Sequence, residues 1–220
     1  IYKQYPEHTK DLTKYSGFLA LIDIDSINSK SKIVTFKEKH AIITEFSDYI
    51  SVQFNEADGN KLNSIKLEKR FDDVFYEPID FYSTLNKIII TNKYEWMGEL
   101  KLNAQILDIN TFSIKKIPIT FQDSGGLSRI RTFLSKDKIY FCAFNETKNV
   151  FRYIGLDLVN NSTNEFNLSD KSGTSIVFAN SMPNIFTNDY FIFAYADGKL
   201  KQFDLNGLLV NEISVGLEQF

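Results

Sequence analysis

Cysteine and histidine are scarce in this 220-residue sequence, which has one Cys and two His residues. A single cysteine excludes a disulfide framework and a cysteine-based metal site within one chain. Cys142 lies in the apolar run Ile139 to Phe144, so we expect a buried thiol that serves packing. His8 and His40 have no carboxylates at matched spacing, so we predict no metal site.

Positive charge is also limited. The formal net charge is −3, arginine occurs at only four positions, and no run of Lys or Arg is long enough for a nucleic-acid patch. Nucleic-acid surfaces need clustered basic residues, so nucleic acid is not an expected partner. No apolar stretch is long enough to cross a bilayer. The sequence also lacks a P-loop, a dinucleotide fingerprint and a nucleophile elbow, so we predict no cofactor and no catalytic residue.

Aromatic residues are abundant, with 20 Phe and 11 Tyr. Aromatic and β-branched side chains suit a pleated, half-buried surface, so this composition favours strands. The first residues, from Ile1 to Gln4, include neither Met nor a signal-peptide pattern. Either a leader has been removed or the chain has been trimmed, and both fit the periplasmic, cell-surface or secreted location that we expect.

A repeated triplet, in which Asp lies between two apolar residues and a turn follows, runs through the chain. Four copies of the triplet contain Asp, and a fifth, Ile65-Lys66-Leu67, has Lys66 in its place. The period of the repeat is roughly 40 to 50 residues. A polar residue also opens a short apolar strand upstream of several triplets, as at Asp48 and Asp137. The four aspartate copies are Ile22-Asp23-Ile24, Leu107-Asp108-Ile109, Leu156-Asp157-Leu158 and Phe203-Asp204-Leu205.

Each repeat holds about four short strands, and Asp58-Gly59 is a strong hairpin signal between two of them. This period and strand count predict an all-β fold, a β-propeller of about five four-stranded blades. Either these blades close a ring irregularly, or the chain is a piece of a larger six- or seven-bladed ring, which we favour. We predict one domain over residues 1–220, with an outer half-blade at 18–36 and blades at approximately 40–76, 77–120, 127–168 and 175–215.

The triplets and the segment from Gly198 to Val210 resemble bacterial six-bladed, TolB-like propellers, whose blades end in such hairpins. The signature pairs of WD40 repeats, the double glycines of kelch repeats and the sialidase box are absent. The resemblance implies a binding or scaffold role outside the cytoplasm, and it transfers no catalytic residue.

The repeated aspartates recur once per blade, whereas a catalytic carboxylate pair needs two neighbours at a defined distance. We therefore expect each to accept backbone N–H groups of the following turn. Arg129 and Arg131 flank Ile130 on a predicted innermost strand and would share one face, where they could bind a carboxylate or phosphate. His40 begins an inner strand and is a further candidate for a channel or ligand site.

The segment Asn92 to Glu99 replaces an Asp-Gly turn with an apparent insertion that contains the single Trp. Because Trp, Tyr and Met are enriched at interface cores, Tyr94, Trp96 and Met97 are the candidate partner-binding residues. The alternative is that Trp96 folds back onto its own sheet.

The leading hypothesis is a non-enzymatic propeller that binds a protein or another macromolecule through one face. A second hypothesis is a channel-mouth enzyme of the lactonase or glycan-cleaving kind, which would need converging side chains. A third is a toxin-immunity or inhibitor protein. Propellers host all three functions, so the fold does not decide among them. The residues that the enzyme would use are His40, Glu45, Glu77 and Asp80.

Overall fold

The structure is a computed structural model that describes residues 32–36, 39–56, 58–71, 73–84, 86–122, 125–148, 150–168, 185–187, 189–194 and 199–214. The predicted half-blade at 18–36, with Asp23, lies largely outside them. The chain divides into two compact units. The first comprises residues 1–76, 85–87 and 108–113, and the second comprises 77–84, 88–107 and 114–220.

Strands make up most of the described residues, as the aromatic composition predicts. The first sheet, in the order β1-β2-β3-β4, contains Lys32–Thr35, Lys39–Glu45, Tyr49–Glu56 and Lys61–Glu68. A small hairpin, β5 and β6, contains Arg70–Phe71 and Val74–Phe75. The second sheet, β10-β9-β8-β7, contains β7 Glu77–Ser83, β8 Lys87–Trp96, β9 Glu99–Asp108 and β10 Ile114–Ile119.

Two more four-stranded sheets follow in the second unit. The third, β11-β12-β13-β14, contains Leu127–Ser135, Lys138–Asn145, Val150–Asp157 and Thr163–Phe166. The fourth, β15-β16-β17-β18, contains Ile185–Phe186, Tyr190–Ala194, Lys199–Asp204 and Leu209–Ser214. The described part of the chain has no helix long and apolar enough to cross a membrane.

The fold class is confirmed. Four sheets follow one another, each with four antiparallel strands in the order in which the chain forms them. A sequence of such four-stranded meanders is the blade architecture of a β-propeller. The protein is therefore all-β and built from propeller blades.

In the second unit, the third sheet is buried on both faces because successive residues of a strand point to opposite sides. Alternate residues of β12 pack with side chains of the second sheet, and the intervening residues pack with side chains of the fourth sheet. The first set is Ile139, Phe141 and Ala143; the second is Tyr140, Cys142 and Phe144. Cys142 is buried, as predicted.

The first sheet departs from the predicted blade boundaries at one edge. Residues 33–36 were assigned to the outer strand of a preceding half-blade, but Lys32–Thr35 forms β1 and pairs with β2 in antiparallel register. Val34 lies opposite Ala41 and joins a buried face that includes Ile43 and Phe54. The alternation of exposed and buried residues therefore places β1 inside this sheet, where it supplies the fourth strand.

The register also corrects one copy of the repeated triplet. Asp157 lies opposite Lys138, the first residue of its neighbouring strand, and Asp204 lies opposite Tyr190 in the same way. In the first sheet the residue in this position is Glu68, which lies opposite Tyr49. Lys66 is therefore not the counterpart of the aspartates. The two-residue error arises because an alternating strand shows the same apolar pattern after a shift of two.

Candidate functional site on the β8–β9 ribbon

The central strands of the second sheet extend beyond its outer strands. β8 and β9 have ten residues each. On one side β7 begins with Glu77 opposite Lys93, and on the other side β10 ends with Ile119 opposite Leu102. Residues 94–101 therefore form a two-stranded ribbon that projects about 10 Å, or three residues, past the sheet. We call this segment the β8–β9 ribbon.

The tip of the ribbon is a two-residue turn made by Met97 and Gly98. Their φ angles are +47° and +82°, and two successive positive φ angles are typical of a type I′ turn. The sequence indicated an insertion in place of an Asp-Gly turn here. The additional residues lengthen both strands, and Gly98 supplies the tight turn between them.

The two apolar residues at the tip are exposed. Trp96 is 62% exposed and Met97 is 91% exposed, whereas Tyr94 is half-buried. Trp96 therefore does not fold back against its own sheet. The Met97 side chain is unusual because the left-handed conformation disfavours any residue with a Cβ, and Asn or Gly is the common choice at this turn position.

Ion pairs occupy the charged groups along the ribbon. Lys93 Nζ lies 3.0 Å from Glu95 Oε2, and Lys101 Nζ lies 3.0 Å from Glu99 Oε1. The Lys101 ammonium also lies 5.6 Å from the centre of the Tyr94 ring. Opposite charges two residues apart on a strand share one face, so the spacing of Lys93 with Glu95 and of Glu99 with Lys101 is the sequence signal for these pairs.

A buried hydrogen bond holds the base of the ribbon together. Asn92 Nδ2 donates to Asn103 Oδ1 across β8 and β9 at 3.0 Å, and both residues are buried. Asn92 also donates to the carbonyl of Ile90. Because buried amides keep such bonds, the base of the ribbon has a fixed register and the tip rests on a rigid support.

Arg129 and Arg131 both lie on β11 and are exposed. The strand has a register irregularity between Ser128 and Arg131, and Arg129 has φ +51°. The Arg129 guanidinium lies 5.3 Å from the centre of the Phe144 ring, a cation–π contact. That Arg129 and Arg131 bind an anion remains a prediction.

His40 belongs to β2 in the first unit and is half-buried. Its Nδ1 lies 3.4 Å from the Thr35 hydroxyl, and it pairs with Thr35 and Asn55 in the sheet. Glu45, a carboxylate that the enzyme hypothesis needed, is buried and accepts a 2.6 Å hydrogen bond from Lys69 Nζ. Glu45 is thus engaged in an internal ion pair.

The enzyme hypothesis also named Asp80, which lies on β7 beside a cluster of hydroxyl groups. Asp80 Oδ1 accepts the N–H of Phe81, and its backbone bonds the Thr91 hydroxyl. The Thr132 hydroxyl lies 3.0 Å from Tyr82 Oη and 2.9 Å from Thr91 Oγ1. Burial raises the pKa of Tyr82 far above its usual range. No group of three metal-ligating side chains occurs among the described residues.

The repeated aspartates stabilise turns, as predicted. Each of the three described copies accepts two backbone N–H groups of the turn that follows it, at 2.8–3.2 Å. For Asp108 these bonds, chiefly that of Thr111, hold the pKa of the carboxyl below its usual range. The donors are Asn110 and Thr111 for Asp108, Val159 and Asn160 for Asp157, and Asn206 and Leu208 for Asp204.

Comparisons with known proteins do not identify a family. No protein-family model matches the sequence, and no curated protein matches it significantly. A mutant of Synechocystis apocarotenoid oxygenase is 11% identical with a TM-score of 0.43, covering 80% of this chain and 46% of its own. A subtype N10 neuraminidase-like protein of A/little yellow-shouldered bat/Guatemala is 5% identical with a TM-score of 0.47, covering 84% and 67%.

An ACO/RPE65 chimera is 11% identical with a TM-score of 0.43, covering 88% of this chain and 52% of its own. The chain thus spans about half the length of the oxygenase structures that it matches. Likenesses this distant carry no argument about activity, and the fold assignment rests on the order of the strands.

Proposed function

We propose that this protein is a non-enzymatic binding or scaffold propeller that engages a protein partner through the β8–β9 ribbon. The observation that carries the proposal is Met97, which is 91% exposed and holds a φ of +47°. Folding alone favours Asn or Gly at such a position. A side chain that disfavours the turn and contributes no burial is best explained by what it contacts outside the chain.

The surroundings of Met97 support the same proposal. Trp96 is exposed beside it, and Trp is enriched among residues that dominate binding energy at protein interfaces. The neighbouring charges are already paired within the ribbon, so an apolar contact at the tip would leave no new unpaired charge. The rigid base keeps the ordering cost of binding low.

The location outside the cytoplasm and the TolB-like relationship belong to this proposal and rest on sequence features alone. The enzyme alternative receives no support from Glu45, whose carboxylate is engaged by Lys69. The immunity or inhibitor alternative would use the same kind of surface, so it differs from the proposal in the identity of the partner and not in the site.

The test compares binding by purified variants. A partner is captured from the source organism with the wild-type protein, identified and purified, and its Kd is then measured for each variant. Trp96→Ala should weaken binding by about 30-fold or more, as for an interface hot spot. Its free energy of unfolding should change by less than about 0.5 kcal/mol, as for an exposed residue.

Val159→Ala is the matched control, since Val159 is an apolar residue that is 76% exposed at a turn of the third sheet. It should leave the Kd unchanged. Equal binding by wild type and Trp96→Ala would contradict the proposal. A loss of about 3 kcal/mol of stability in Trp96→Ala would show instead that the ring serves packing.

A further inference from the structure

A glycine interrupts the face of the third sheet that packs with the fourth sheet. Gly155 lies in the middle of β13, with Tyr140 opposite it on β12 and Asn164 opposite it on β14. The neighbouring row consists of Lys138 opposite Asp157. Glycine in a strand interior is unfavourable and commonly marks a place where another group approaches the backbone.

The other blades carry side chains at this position. Two residues before the aspartate or its counterpart, the first sheet has Lys66, the second has Ile106 and the fourth has Gln202. The repeat therefore does not require glycine here. The Tyr140 ring covers part of the backbone that the glycine leaves without a side chain, because a Cβ at Gly155 would lie 3.2 Å from Tyr140 Cε1.

The remaining space is a cavity of about 80 Å³ between the third and fourth sheets. Leu205 and Asn206, from the turn after β17, close it on the side of the fourth sheet. A cavity of about 150 Å³ holds benzene, so this one has room for a group of roughly three or four non-hydrogen atoms.

The walls combine one charge of each sign with neutral polar groups. Lys138 and Asp157 line the cavity together with Asn164 and Asn206. One carboxylate oxygen of Asp157 accepts the N–H groups of the following turn, and the other is not needed for that turn. Within the described part of the chain the Lys138 ammonium forms no ion pair or side-chain hydrogen bond.

We propose that this cavity binds a compact neutral group with two adjacent hydroxyls, of the kind found at the end of a sugar. One hydroxyl donates to Asp157 and the other accepts from Lys138, while the carbon atoms lie against the Tyr140 and Phe166 rings that line the cavity. The two wall charges offset each other, so a ligand with a net charge would lose its hydration without a matching gain. This cavity is separate from the β8–β9 ribbon, and the proposal does not depend on the function proposed for the ribbon.

The experiment follows the backbone amide signals of Gly155 and Asn164 by NMR during titration. The probes are glycerol, a set of methyl glycosides, and oligosaccharides that end in the same sugars; acetate and methylammonium are the charged controls. At least one polyol should produce saturable shifts, whereas the charged controls should not. Binding by methyl glycosides indicates a free sugar as the source, and binding by the oligosaccharides alone indicates the end of a glycan.

Lys138→Met should weaken the binding of that polyol by about tenfold or more, since it removes a hydrogen bond to a charged group. Gly155→Ala places a methyl group in the cavity and should do the same. Lys115→Met, at an exposed lysine on β10, is the control and should bind like wild type.

Three results would overturn the proposal: no saturable shift with any polyol, equal binding of acetate or methylammonium, or unchanged polyol affinity in Lys138→Met. The Lys138→Met result decides the matter if Gly155→Ala fails to fold.

Discussion

Lys69 and Glu45 form a buried ion pair in the first unit, with Nζ 2.6 Å from Oε1 and both side chains at least nine-tenths buried. Lys69 Nζ also donates to the carbonyl of Phe46 at 2.7 Å. The pair therefore fixes the end of β4 against the turn between β2 and β3, and it explains why a carboxylate on an inner strand is not available for chemistry.

Removing one partner of this pair should destabilise the protein strongly. Lys69→Met leaves the Glu45 carboxylate buried and uncompensated, so we expect a loss of about 3–5 kcal/mol in the free energy of unfolding. The double variant Lys69→Met/Glu45→Leu should lose less than the single variant. Urea unfolding of both variants and of Glu45→Leu completes the thermodynamic cycle, and a single-variant loss below about 1 kcal/mol would contradict a buried pair.

The tip of the ribbon should become more stable when Met97 is replaced. Met97→Asn puts a residue that tolerates the left-handed conformation at φ +47°, so stability should rise by up to about 1 kcal/mol. Gly98→Ala should lower stability by a similar amount. A Cβ at Gly98 would have no atom within 4 Å, so any loss of stability in this variant is due to the positive φ alone. Thermal melts of the two variants should shift in opposite directions, and parallel shifts would contradict the turn assignment.

The turn-capping aspartates should contribute to stability individually. Asp157→Ala removes an acceptor for two backbone N–H groups, so it should cost about 1 kcal/mol. Chemical denaturation measures this loss. An unchanged melting temperature would show that the turn does not depend on this carboxylate. Loss of polyol binding by the same variant is expected as well, because Asp157 also lines the proposed cavity.

Acid should weaken the turn that Asp108 caps. The pKa of this carboxyl is lower in the folded chain than its ordinary value near 4, so its contribution is present above that value and is lost as the pH falls below it. Stability measured from pH 5 downward should therefore decline less steeply in Asp108→Asn than in wild type. Identical slopes would show that the carboxylate makes no difference between the folded and unfolded states.

The Cys142 thiol should be inert in the folded protein. Burial raises its pKa to about 12, and thiolate is the reactive form. Iodoacetamide at pH 8 should label Cys142 only in denaturant, as mass spectrometry can show. The unfolded thiol ionises from about pH 8.5, so stability should fall as the pH rises from there towards 12. Rapid labelling of the native protein would place the thiol outside the core.

The all-β class, the blade repeat and the capping role of the aspartates followed from the sequence because each depends on local patterns. Alternation and Asx turns are properties of a few neighbouring residues. The assignment of Lys66 failed for the same reason, since alternation alone cannot distinguish a register from one shifted by two. Only the pairing of Tyr49 with Glu68 resolves it.

The candidate site was predictable in composition but not in form. The Trp and Met residues at the β8–β9 turn stand out in the sequence, and their exposure agrees with an interface role. That the segment is a two-stranded ribbon depends on where β7 begins and where β10 ends, and those residues lie outside the segment itself. The cavity at Gly155 likewise depends on a turn some 50 residues later, at Leu205.

The two faces of β12 differ in the kind of side chain that they present, and this difference determines which blade packs on each side of the third sheet. One face presents aliphatic side chains around Phe141, while the other presents Tyr140 and Phe144 to a cluster rich in aromatic rings. Tyr140 stacks on Phe133 and meets Phe191 edge-on. A sheet with two unlike faces cannot exchange its neighbours without mismatching ring geometry, so β12 encodes which blade lies on each side.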